Sequence, residues 1–191
     1  MGTYIVGITG ASGTIYGIRL LEALRATPGA KIHLVLSGQA KRTMTIETAR
    51  SVESVEKLAD EVHDQDNLAA PISSGSFKTD GMIVVPCSIK TASAIAYSLN
   101  DNLLVRAADV CLKERRRLVL VVRETPLHLG HLRTLTQLAE IGAVILPPIP
   151  GFYSMPKTVE DIVDHTVGKA LDSLGVPNET FARWRGPNGQ A

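Results

Sequence analysis

The stretch Thr3-Tyr-Ile-Val-Gly-Ile-Thr9, followed at once by Gly10-Ala-Ser-Gly13, decides the architecture. An apolar run stops at a Gly/Ser/Thr loop, and Ile15, Ile18, Leu21 and Leu24 then recur at helical spacing. That order reads as a strand, a tight turn and a helix N-terminus. Glycine lets backbone N–H groups approach a ligand, and a helix start carries partial positive charge. The turn therefore suits a phosphate.

Outward from this unit the same alternation continues. Strands are predicted at 4–9, 31–36, 81–85, 117–122 and 143–147. They are rich in Val, Ile and Leu with little alternation, as in strands buried on both faces. Helices are predicted at 13–26, 38–49, 51–62, 88–98, 103–115, 131–141 and 158–174. In the last, Val159, Ile162, Val163, Val167, Ala170, Leu171 and Leu174 form one apolar stripe. Thr158 and Asp161 supply a capping box at its start, and Gly175 and Pro177 end it. The pattern predicts an α/β, three-layer Rossmann/flavodoxin-like domain with a mostly parallel sheet flanked by helices. One domain is expected over 1–176, with a polar tail, 177–191, expected to pack near the site through Trp184.

Composition narrows the function. The 191 residues carry a formal net charge of +1 and no long Lys/Arg run, which argues against a nucleic-acid partner. The densest basic cluster, Lys113-Glu-Arg-Arg-Arg117, is broken by Glu114 and reads as a solvated helix end. Cys87 and Cys111 are the only cysteines, which argues for a reducing compartment and against a disulfide framework. Cys87, between Pro86 and Ser88, reads as a packing residue. No signal peptide is expected, and Val6 stands where a myristoylation site wants Ser or Thr. No apolar run is long enough to span a bilayer. The expected location is the cytoplasm, with no membrane partner.

In parallel sheets the ligand lies beyond the carboxyl ends of the strands. The loops there carry Gly10-Ala11-Ser12-Gly13, Ser37, Ser88-Ile89-Lys90-Thr91, Arg123-Glu124 and Gly151-Phe-Tyr153. No Walker A string occurs, so nucleotide hydrolysis is not expected. Gly7-x-x-Gly10-x-x-Gly13 resembles the loop of extended short-chain dehydrogenases. A dinucleotide site would also place an acidic residue near the end of strand two, where the chain has Leu36-Ser37-Gly38. Tyr153-Ser-Met-Pro-Lys157 mimics the dehydrogenase Tyr/Lys pair, but Pro156 breaks the helix that pair requires. Thr9-Gly10-Ala11-Ser12 is close to the flavodoxin phosphate loop. With the hydroxyls of Ser37 and Ser88–Thr91 it favours FMN.

Seven segments then resemble one family: Gly7-Ile-Thr-Gly-Ala-Ser-Gly13, Ser73-Ser-Gly-Ser-Phe77, Pro86-Cys-Ser-Ile-Lys-Thr91, Arg106-Ala-Ala-Asp-Val110, Leu112-Lys-Glu-Arg115, Arg123-Glu-Thr-Pro126 and Gly151-Phe-Tyr153. In this order, across nearly the whole chain, they resemble the UbiX-type flavin prenyltransferases, once described as aromatic-acid decarboxylases. The resemblance implies transfer of dimethylallyl from dimethylallyl monophosphate to N5 and C6 of reduced FMN. The product, prenylated FMN, serves UbiD-type decarboxylases in ubiquinone biosynthesis or aromatic-acid degradation.

The resemblance also implies roles. Gly10, Ala11, Ser12, Ser37, Ser88, Ile89, Lys90, Thr91 and Arg123 bind FMN. Arg123, Tyr153 and Lys169 hold the donor phosphate, Lys113 adds charge, and Glu124 is the candidate proton donor. Ser12 and Glu47 manage protons near flavin N5, while Ser74 and Trp184 complete the donor site. Many members carry Arg where this chain has Lys169, which keeps the charge but loses the bidentate fork and weakens the phosphate grip. No metal is implied: there is no Asp-Asp-x-x-Asp motif, and His128-x-x-His131 lacks a third ligand. Family members assemble as homododecamers, in which Ser73–Phe77 and Arg106 can come from a neighbour. The competing expectation is an FMN-binding cysteine decarboxylase-like protein or a flavin carrier. Neither has use for Tyr153, Lys169 and Lys113 as a second phosphate site.

Overall fold

The structure is a computed structural model, and it describes residues 2–184 and 186. Its parallel sheet contains β1 (Gly2–Ile8), β2 (Ala30–Leu36), β3 (Glu61–His63), β4 (Gly81–Cys87), β5 (Arg117–Val122) and β6 (Val144–Ile145). The strand order is β3-β2-β1-β4-β5-β6, and every pairing is parallel. The chain builds outward from β1 in one direction, then returns to the other side of β1 with β4. That reversal opens a crevice between the carboxyl ends of β1 and β4.

Helices cover both faces. On one side α1 (Thr14–Ala26), α2 (Gly38–Glu47), α3 (Val52–Glu56) and α7 (Val159–Leu174) close over Val6, Ile8, Leu34 and Val121. On the other, α4 (Ile89–Ala96), α5 (Leu103–Lys113) and α6 (Leu129–Glu140) close over Ile5, Val35, Val84 and Leu120. Successive strand residues alternate between these two cores, which is why the strands read as continuous apolar runs.

The capping box at α7 is present. Thr158 Oγ1 accepts the Asp161 N–H at 3.1 Å, and the Asp161 carboxylate accepts the Thr158 N–H at 3.0 Å. The helix ends at Gly175, whose φ of 83° is left-handed. A Cβ there would meet the Arg117 guanidinium, which donates to the Leu174 carbonyl at 2.6 Å.

Two predicted elements differ. The expected helix over 51–62 is α3, only Val52–Glu56, followed by the edge strand β3. Asp60 causes the change: its N–H donates to the Ile32 carbonyl at 3.0 Å, and its carboxylate accepts the Ile32 N–H at 2.8 Å. The chain is thereby drawn alongside β2. The expected strand 143–147 shortens to Val144–Ile145, because Pro147 and Pro148 have no N–H to continue the ladder.

Both cysteines are free and buried, and burial pushes the Cys87 thiol up to about 12 and that of Cys111 to about 11. Neither is a thiolate nucleophile at neutral pH. Among the described residues no helix is long and apolar enough to cross a membrane.

Candidate active site

A pocket lies at the crevice between β1 and β4. Thr9 and Gly10 line it from the end of β1, Ser37 and Gly38 from β2, and Ser88, Lys90 and Thr91 from β4. Thr9 joins the two halves: its hydroxyl donates to the Pro86 carbonyl at 2.7 Å and accepts the Ser88 N–H at 2.8 Å. Ser37 caps α2 by accepting from Ala40 N–H at 3.0 Å, and Ser88 caps α4 by accepting from Thr91 N–H at 3.2 Å. Two helix N-termini therefore open on one cavity that also holds Lys90 and Arg42. That is a site for an anion. Leu104, Val105 and Ala94 add an apolar wall. Anion donors beside an apolar wall fit a flavin with its phosphate. Sequence reading missed Gln39, Arg42, Gln65 and Asn102 in this lining, because they follow no loop motif.

The third helix end, that of α1, is already occupied. Glu47, the last residue of α2, accepts N–H bonds from Gly13 at 2.9 Å and Thr14 at 3.1 Å, and the Thr14 hydroxyl at 3.1 Å. Burial pushes this carboxyl up. The bonds from Ser12, Gly13 and Thr14 outweigh it and hold the group below the usual Glu value. The phosphate role expected of this helix start is thus taken by a side chain. Gly10, Ala11 and Ser12 keep the exposed side of the turn, with Ser12 beside the Glu47 carboxylate.

Arg123 and Glu124 stand at the carboxyl end of β5, where Arg123 N–H donates to the Cys87 carbonyl at 3.0 Å. Arg123 is exposed, so the two do not form a buried ion pair; the Glu124 carboxylate accepts the Thr125 N–H at 3.1 Å.

Tyr153, Lys169 and Trp184 gather around a residue that sequence reading did not single out, His165. The Tyr153 hydroxyl and His165 Nε2 are 2.8 Å apart, and the Trp184 ring meets Tyr153 edge-on at 5.9 Å. Lys169 follows His165 by one turn of α7. Burial first, and then the Lys169 charge, hold His165 below its ordinary value, so it is neutral at pH 7. The tail folds back onto α7: Arg183 pairs with Asp172 at 2.8 Å, and Phe181 packs edge-on against His165 at 4.9 Å. Of the tail expected near the site, 185 and 187–191 lie outside the described residues.

Lys113 and Ser74 lie elsewhere. Lys113 ends α5 and pairs with Glu114 beside Gly75, just before β5 starts at Arg117. Arg116 ties the same loop down through the Gly75 and Phe77 carbonyls, at 2.6 and 2.7 Å. Arg106 holds the Ser73 carbonyl at 3.1 Å. Arg123 is at the far end of the intervening strand, about 20 Å away at the usual rise per residue. One chain alone does not bring Lys113 to Arg123.

This fold and pocket define a flavoprotein, and the Flavoprotein family model matches residues 2–171. Flavin prenyltransferase UbiX of Escherichia coli strain K12 is 56% identical over 188 residues, covering 97% of this chain and 100% of the relative. That of Archaeoglobus fulgidus is 54% identical over 181 residues, covering 95% and 98%. The chain belongs to the UbiX flavin prenyltransferase family. Among solved structures, AnUbiX (PadA1) in complex with FMN and dimethylallyl pyrophosphate superposes with a TM-score of 0.95 at 49% identity, covering 97% of this chain and 98% of that one. The dodecameric FMN-dependent Ubix-like decarboxylase from E. coli O157:H7 superposes at 0.94, also at 49% identity, covering 96% and 100%. The cysteine decarboxylase TvaF, at 16% identity, 0.65 and coverage of 92% and 99%, shares the fold alone.

Proposed function

We propose that this chain transfers the dimethylallyl group of dimethylallyl monophosphate to N5 and C6 of reduced FMN, and that a UbiD-type decarboxylase receives the prenylated product. The observation that carries this reading is the Tyr153–His165–Lys169–Trp184 cluster, none of whose members lines the flavin pocket. A carrier or cysteine decarboxylase holds one phosphate; this chain has the parts for two. The AnUbiX complex with FMN and dimethylallyl pyrophosphate supports a dimethylallyl ligand beside the flavin.

In this reading residues 1–176 form the flavin-binding body. Gly10, Ala11, Ser12 and Ser37 hold the flavin with the α4 start, Ser88, Ile89, Lys90 and Thr91. Arg123 lies between the flavin and the donor. Tyr153, Lys169 and Arg123 hold the donor phosphate, and their fixed charge and hydroxyl stabilise it as the allylic C–O bond breaks. No metal is required for that. Glu124 supplies a proton to the departing phosphate. Glu47, held anionic, orients the Ser12 hydroxyl, which handles proton movement at the flavin. Trp184 and the described tail, 177–184, keep water from the allylic cation.

Lys113, Ser74 and Arg106 serve the site of a neighbouring copy. The place of Lys113 at the opposite end of β5 and the dodecameric relative both support a shared site in a homo-oligomer, which we place in the cytoplasm. The test is anaerobic: protein, reduced FMN and dimethylallyl monophosphate without metal, then mass spectrometry of the released flavin. A gain of one C5H8 unit is expected. Unchanged flavin with both the monophosphate and the pyrophosphate would overturn the reading.

A further inference from the structure

A second group of ligating side chains lies away from the reaction site, on the edge of the sheet. His33 is the fourth residue of β2, and Glu61 and His63 begin and end β3. The register pairs His33 with Glu61 and Val35 with His63. Residues two apart on a strand share a face, so all three side chains rise on the same side of the sheet. His33 Nδ1 and His63 Nε2 are 3.0 Å apart, and Glu61 Oε2 is 3.4 Å from that same His33 nitrogen. Each residue offers a ligand atom within 4.8 Å of the others. Both histidines are buried, at 7% exposure, while Glu61 faces solvent.

We propose that His33, His63 and Glu61 form a binding site for a divalent transition cation of the zinc type, which clamps β3 to the sheet. Two ligands at i and i+2 on one strand plus a third from its neighbour converge without help from any loop. Zinc bonds of its ordinary length set tetrahedral ligands about 3.3 Å apart, and the two distances from His33 Nδ1 bracket that value. Two imidazoles select zinc, cobalt or nickel over magnesium or calcium, which want oxygen ligands. Solvent on the Glu61 side leaves room for water as a fourth ligand.

Without a cation the two imidazoles share one N–H···N bond. To bind one, both facing nitrogens must present lone pairs. The proton between them moves to the other nitrogen of the ring that donates it, so no net proton is released, and the Glu61 carboxylate is left to ligate.

The site has a mechanical consequence. Gln65, two residues past His63, lines the flavin pocket, and its carbonyl accepts the Leu103 N–H at 2.7 Å. A cation on β3 stiffens that pocket wall without touching the flavin, so prenyl transfer itself proceeds after metal removal.

Full-length protein stripped with a chelator is dialysed against zinc and, separately, against cobalt. Roughly one zinc per chain is expected, with the visible bands of four-coordinate cobalt. At zinc a hundredfold above Kd, Tm rises on the order of 5 °C. Glu61→Gln, at a half-exposed position that tolerates the change, should weaken zinc binding by about tenfold or more and keep its chelator-treated Tm. His63→Ala should abolish uptake. His131→Ala, a control at the other histidine pair, should leave it intact. Equal zinc affinity in wild type and Glu61→Gln would overturn the site, as would no uptake at all or loss only in His131→Ala.

Discussion

Glu47 accepts bonds from Gly13 and Thr14, so replacing it with Gln separates charge from shape. Glu47→Gln should retain flavin binding, because the helix ends on the pocket belong to α2 and α4. It should lose about 100-fold in prenyl transfer, the usual scale for a group that steers a proton. The same carboxyl has its pKa depressed on folding. Its contribution to stability is present above the unfolded Glu value and is lost as pH falls through the lower folded value. Urea midpoints of wild type should therefore decline below about pH 4.5, more steeply than those of Glu47→Gln. At the donor cluster, Lys169→Ala should keep flavin and raise the KM for the donor about 10- to 100-fold, the range for a lost charge-assisted bond. Lys169→Arg should restore it, since Arg keeps the charge and adds a fork. Flavin titration beside steady-state kinetics reads both. Tyr153 is recognisable in the chain because Gly151-Phe-Tyr153 resembles a family segment, and Lys169 because it stands where many members carry Arg. His165 is not, since its meaning comes from a tertiary contact with a loop twelve residues earlier.

Among the elements, α7 was legible to the residue because its signals are local: a cap, a stripe and a glycine stop. Thr158→Ala should cost about 1 kcal/mol and lower Tm by roughly 2–4 °C. Gly175→Ala should cost at least as much, since φ is positive and the new methyl meets the Arg117 guanidinium. Calorimetry of the two variants checks this. β3 was illegible for the opposite reason. Three residues carry no period, and what makes Glu61–His63 a strand is Asp60 bonding to Ile32 across 28 residues. The pocket divides in the same way. Its hydroxyl loops follow strands and stand out, whereas Gln65 and Arg42 reach it only through the packing of their elements.

Over the whole molecule, Lys113 and Lys169 belong to different regions of the chain, yet the proposed reaction uses both. With the donor held well below the wild-type KM, Lys113→Ala and Lys169→Ala should each lose most of their activity alone. Dissociated, mixed and reassembled, they should recover roughly a quarter of wild-type activity, because random mixing rebuilds that share of intact shared sites. Recovery at the level of either parent would place both lysines in one chain's site or in none. Phe152, Met155, Leu129, Ile149 and Tyr97 are exposed apolar side chains, more than an isolated subunit of this size needs to leave uncovered, and they suit contacts between copies.

The position of β1 at the reversal of the sheet also governs how the protein is made. Its partner β2 leaves the ribosome soon after it, but its other partner, β4, is encoded from Gly81 onward. Between those moments one edge of the strand carrying Ile5, Val6 and Ile8 has no neighbour. At ordinary elongation speeds that interval lasts roughly 2–10 s, long enough for a nascent chain to pair with the wrong edge. The pace of translation between codons 37 and 80, and chaperone cover over that span, therefore set how much of the newly made chain reaches the native sheet.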